Sequence, residues 1–117
     1  MEDIEQARRR AVEQLLAYGF ATSGWATFEV LSSLMARKLK GDWREYFYRS
    51  PKKFLKALID SLGGETMAYM VLRIATKRLR EIGVEVSGSE IYEALKRGDS
   101  ARLVKLVDQL AVALALI

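Results

Sequence analysis

Along most of this chain apolar residues recur at intervals of three and four, the spacing that gathers them on one face of a helix. Between Glu65 and Ile82 the positions Ala68, Val71, Leu72, Ala75, Leu79 and Ile82 follow it, and Met67, Met70 and Ile74 widen the stripe past half the circumference. The polar strip is narrow: Thr66, Tyr69, Arg73, Thr76, Lys77 and Arg80. A helix with so broad an apolar face needs cover on several sides, which makes it the expected central helix. Just before it, Ser50 is a good N-cap and Pro51 occupies the first helical position, where a missing amide costs nothing. A helix is therefore predicted over 51–62, with Gly63 and Gly64 as the joint of a hairpin.

The same pattern predicts a helix over 2–18, with Ile4, Ala7, Ala11, Leu15 and Tyr18 in register, Gly19 as its stop, and Arg8, Arg9 and Arg10 mostly outside. Thr22 or Ser23 can cap a second helix over about 25–39, built on Phe28, Leu31, Met35 and Leu39 and ended by Gly41. Residues 42–48 are short and aromatic, fitting either a helical turn or an extended linker. Val84-Glu85-Val86 alternates like a strand, but three residues without a second strand cannot build a sheet, so they read as a connector. Ser87 and Glu90 have the spacing of a capping box, which opens a helix over 89–97 that ends at Gly98. Asp99 or Ser100 then caps a last helix over 101–117. The sum is an all-α bundle of six to seven helices, compact and forming a single domain over 1–117.

Half the 117 residues are hydrophobic and 29% are charged, which places the chain among globular proteins rather than disordered ones. Cysteine is absent, so disulfides, thiolate metal sites and cysteine nucleophiles are excluded; histidine is absent too, removing the usual general base near neutral pH and the commonest metal ligand. No asparagine occurs and charge is plentiful, the composition of a hot-living prokaryote. The acidic opening Met1-Glu2-Asp3-Ile4-Glu5-Gln6 is unlike a secretion signal, and no apolar run approaches the roughly 20 residues that span a bilayer. A cytoplasmic protein with no membrane partner is expected.

Charge is concentrated between Arg37 and Lys56, where Arg37, Lys38, Lys40, Arg44, Arg49, Lys52, Lys53 and Lys56 face only Asp42 and Glu45, a local +6 in a chain of net +4. Trp43, Tyr46, Phe47, Tyr48 and Phe54 are interleaved with them. Cations beside stackable rings suit a phosphate backbone with exposed bases, so Trp43 and the eight cations form a candidate nucleic-acid site. The competing reading makes the rings core residues and the cations a solvated face. A helix-turn-helix reader does not fit the Gly63-Gly64 hairpin, because the start of the second helix, Met67 to Leu72, is apolar where a groove would want polar side chains.

The second candidate surface is the apolar C-terminus, where Leu110, Leu114, Leu116 and Ile117 offer either a buried terminal helix or a self-association face. For catalysis the inventory is poor. Glu90 and Glu93 share a helix face but read as first-turn carboxylates rather than metal ligands, the serines have no histidine to activate them, and Gly63-Gly64 lacks the Lys-Ser or Lys-Thr of a phosphate cradle. No catalytic residue, metal or cofactor is predicted.

The run Leu16 to Gly19, followed by Ser50-Pro51-Lys52-Lys53-Phe54-Leu55-Lys56-Ala57-Leu58 and its Gly63-Gly64 end, resembles small archaeal all-helical output domains. In those a Leu-x-x-Leu-Gly helix precedes a Pro-x-x-Phe-x-x-Ala-Leu-x-x-x-x-Gly helix; the matching positions here are Gly19, Pro51, Phe54, Ala57, Leu58 and Gly63, and the region after Val84 has no counterpart. The resemblance implies a non-enzymatic module of signalling or regulation. A regulatory or protein-interaction domain that self-associates is the expected function, with nucleic-acid binding through 37–56 as the alternative.

Overall fold

Among the described residues, seven helices follow one another in the computed structural model: α1 (Ile4–Tyr18), α2 (Trp25–Lys38), α3 (Trp43–Arg49), α4 (Pro51–Leu62), α5 (Glu65–Glu81), α6 (Gly88–Arg97) and α7 (Ser100–Ala113). It describes residues 3–20 and 25–116, the side chains of 25 and 26 excepted; the expected caps Thr22 and Ser23 lie outside the described residues. No strand occurs among the described residues. The aromatic segment that was ambiguous in sequence is helical, because the Asp42 side chain accepts a hydrogen bond from the Arg44 amide and starts α3.

The helices form one all-α bundle around a single core. Its largest wholly buried side chains include Phe47, Tyr48, Phe54, Leu58 and Leu72. The centre is shared rather than owned by α5: α4 packs on α2, α3, α5 and α6, whereas α5 packs on α1, α4 and α6. Ala68, Val71, Leu72, Ala75 and Leu79 are buried as the pattern requires, but Met67 and Met70 are 52% and 43% exposed, so the widened part of the stripe faces outward.

Among the described residues, the C-termini of four helices share one device. The amides of Gly64, Val84 and Asp99 each donate to the carbonyl five residues back, closing α4, α5 and α6 around Gly63, Gly83 and Gly98, which have φ of 87°, 89° and 72°. Helix α7 closes the same way: the Leu116 amide donates to the Ala111 carbonyl at 2.8 Å, with Ala115 in the left-handed position. The expected helix through residue 117 therefore stops at Ala113, and the turn folds Leu116 back onto the body.

Gly19 ends α1 for a reason the pattern did not give. Its φ is −65°, which any residue adopts, but a Cβ there would clash with Val71 Cγ1 and lie 2.8 Å from the Val71 carbonyl oxygen. The glycine is required by the close crossing of α1 and α5. Nor do the α1 arginines stand mostly outside: Arg8 donates to both carboxylate oxygens of Asp108 on α7, at 2.7 and 3.0 Å, and Arg9 donates to Glu45 on α3 at 2.8 Å.

Candidate basic interface on helix α4

Helix α4 buries Pro51, Phe54, Leu55, Ala57 and Leu58 and turns Lys52, Lys53, Lys56 and Asp60 to solvent. Two shallow hollows of ≈ 330 Å³ each flank this exposed face. One is lined by Lys38, Leu39, Lys53, Lys56, Ala57 and Asp60 and reaches the C-terminal turn of α2. The other is lined by Lys52, Leu55, Lys56, Ile59, Asp60 and Lys96 and reaches α6. The hollows share Lys56 and Asp60, so five lysines surround one aspartate on a continuous surface. Five positive charges less one negative equal the formal +4 of the whole chain, so the rest of the chain sums to zero.

None of these lysines forms an ion pair among the described residues. Arg37 and Lys40 flank Lys38 in the chain and Arg97 follows Lys96; all three are exposed and likewise lack a carboxylate partner among the described residues. Lys52 is additionally supported, because its stem runs past Gly98 so closely that a Cβ there would lie 3.2 Å from its Cε.

The other residues of the predicted site are spent on the fold. Arg44 grips Asp42 with two nitrogens, at 3.0 and 2.8 Å, and donates to Glu13 of α1 at 2.7 Å. Arg49 donates to Glu5 at 2.9 Å and lies 3.3 Å from Glu45. Such paired guanidinium groups are neutralised locally and have little charge to offer a ligand. Trp43 is 8% exposed and stacks on Phe54, which also packs T-shaped with Phe47 at 5.2 Å. Tyr48 is buried with its hydroxyl donating to Glu5, and the Tyr46 hydroxyl donates to the Lys40 carbonyl. Burial first, and then the Glu5 carboxylate, hold the Tyr48 phenol well above its ordinary pKa. None of Trp43, Phe47 and Tyr48 presents a ring face for a base to stack on.

Among the described residues Arg37, Lys38, Lys40, Lys52, Lys53 and Lys56 have no ion-pair partner, whereas Trp43 is buried and Arg44 and Arg49 are paired. Lys96, which lines the same surface, and its neighbour Arg97 are likewise unpaired there, and sequence reading missed both. Forty residues separate Lys96 from Lys56, and in sequence both α6 cations serve only as complements to a helix C-terminus; the packing of α6 on α4 is what brings them over.

At the C-terminus, Leu110 is wholly buried, Leu114 and Leu116 are half-buried against the core, and Ile117 lies outside the described residues. Val112, at 63% exposure, is the largest apolar side chain that α7 leaves in solvent. Glu90, one of the two carboxylates weighed for a cation, accepts from Ser87 and Arg102. Among the described residues no helix is long and apolar enough to cross a membrane, and no cluster of three carboxylates is placed to hold a metal ion.

No protein-family model matches this chain, and neither does any curated protein or solved structure.

Proposed function

We propose that this chain is a cytoplasmic, non-enzymatic binding module that holds the phosphate backbone of a nucleic-acid duplex on the lysine face of α4. The observation that carries this reading is the pair of adjoining hollows in which Lys38, Lys52, Lys53, Lys56 and Lys96 surround Asp60 alone. Unpaired lysines attract phosphates by releasing condensed counterions, without reading base edges. Because Trp43, Phe47, Tyr48 and Phe54 are buried, the face suits a duplex better than a single strand, whose binding draws on stacked bases. The lack of histidine and cysteine in the sequence supports a role without acid-base or thiolate chemistry, as does the resemblance to archaeal output domains.

A self-associating interaction module has less behind it. Of the four residues expected to form its face, Leu110 is internal and Leu114 and Leu116 are already half-covered by the body of the same chain.

Fluorescence anisotropy with a labelled duplex of mixed sequence tests the proposal. Binding is expected at micromolar protein in low salt, with affinity falling steeply as salt rises; five phosphate contacts correspond to a log–log slope of about −4.5. Replacing Lys52, Lys53 and Lys56 together by Glu should abolish it, and a single strand of equal length should bind no more tightly than the duplex. Absence of salt-sensitive binding to either form overturns the reading.

A further inference from the structure

A second cationic surface lies on α5. Arg73, Lys77 and Arg80 recur at i, i+4 and i+7, all exposed and none in an ion pair among the described residues. They line a groove of ≈ 430 Å³ together with Tyr69, Met70, Ile74 and Thr76 of the same helix and Ser87, Gly88 and Ser89 at the start of α6. No carboxylate lines it. From Arg73 to Arg80 the helix rises about 10 Å, close to the axial rise over three successive phosphate-to-phosphate steps along one strand of a duplex.

Helix α6 fixes how this groove sits relative to the α4 face. At its first residue, a Cβ on Gly88 would lie 2.9 Å from the Arg73 backbone; at its far end Gly98 lies against Lys52. The two cationic surfaces therefore meet opposite ends of one ten-residue helix, about 15 Å long. Between these ends is Tyr92, whose ring packs T-shaped with that of Tyr69 at 5.7 Å, with the Glu65 and Glu93 carboxylates in its neighbourhood. Both carboxylates are exposed. A single phosphate backbone running from one surface to the other would have to pass them, and like charges oppose that path. Together the α4 face carries +4 and the α5 groove +3, leaving −3 for the remainder of a chain of net +4.

We infer that Arg73, Lys77 and Arg80 form a second backbone-holding surface, so that one copy of this chain ties together two separate nucleic-acid duplexes. This rests on the α4 face holding a duplex, and adds that the protein is bivalent.

The test uses one duplex fixed to beads and a second, fluorescent duplex in solution, with the 117-residue chain added at increasing concentration. The unsubstituted protein should carry the fluorescent duplex onto the beads. Replacing Arg73, Lys77 and Arg80 by Glu should reduce that capture at least about tenfold, while anisotropy on a single duplex weakens by no more than about threefold. Circular dichroism establishes that the variant is folded, and the milder R73Q/K77Q/R80Q chain, expected to lose capture in part, serves if it is not. Capture that survives the α5 substitutions overturns the inference and points to bridging by pairs of copies. Single-duplex binding without capture by the unsubstituted protein also overturns it, leaving the α4 reading intact. If the unsubstituted protein binds no duplex at all, the α4 reading itself falls.

Discussion

Ala115 stands at φ +58° in the position that Gly63, Gly83 and Gly98 occupy at the ends of α4, α5 and α6. An L side chain in that region costs about 1–2 kcal/mol, part of which glycine forfeits through the greater freedom of its unfolded chain. Ala115→Gly should therefore raise stability by about 0.5–1 kcal/mol, measured by urea denaturation. The reverse holds at Gly19, where a methyl group would enter the space of Val71. Gly19→Ala should destabilise the protein by about 1–3 kcal/mol despite the better helix propensity of alanine, because α1 has to move off α5. An unchanged denaturation midpoint would show that this crossing yields more easily than its distances indicate.

At the scale of elements, ion pairs tie α1 to α3 and α7. Glu5 collects Arg8, Tyr48 and Arg49, while Asp42 collects Arg44 and lies near Arg9. Burial alone would raise the Glu5 pKa, but the hydrogen bond from Tyr48 and the charges of Arg49 and Arg8 outweigh it and hold it below the usual carboxylate value. Hydrogen bonding from Arg44 is the largest influence on Asp42 and holds it low as well. A carboxylate depressed in the folded state binds protons more readily when unfolded. Its stabilisation is present above the unfolded pKa of about 4 and is lost as pH falls through the lower folded values. The melting temperature should stay level from neutral pH to about pH 5 and decline below about pH 4. Glu5→Gln with Asp42→Asn should lower it at neutral pH and flatten the acid decline, as followed by circular dichroism. A double variant with an equally steep decline would assign acid sensitivity to other carboxylates.

For the molecule as a whole, the all-α class was legible because each apolar stripe had helical period and most ends carried their signals: Ser87 before α6, Asp99 before α7, and glycine after α4, α5 and α6. What escaped the sequence is long-range. Periodicity gives the width of the α5 stripe but not which neighbours arrive to cover it, so Met67 and Met70 read as interior and are not. The stretch 37–56 was visible as charge, yet Arg44 and Arg49 find their partners on α1, and Lys96 comes from another helix altogether. Counting cations in a window measures composition. Their availability depends on the carboxylates that the fold brings alongside.

The contact between Gly98 and the stem of Lys52 has an energetic consequence for the α4 face. A long side chain swinging in solvent surrenders rotamer freedom when it settles on an anion, whereas methylenes already laid along the α6 terminus have surrendered part of it during folding. In the proposed binding of a phosphate backbone, Lys52 is thus partly preorganised and should contribute more to affinity than an equal charge on a freer stem.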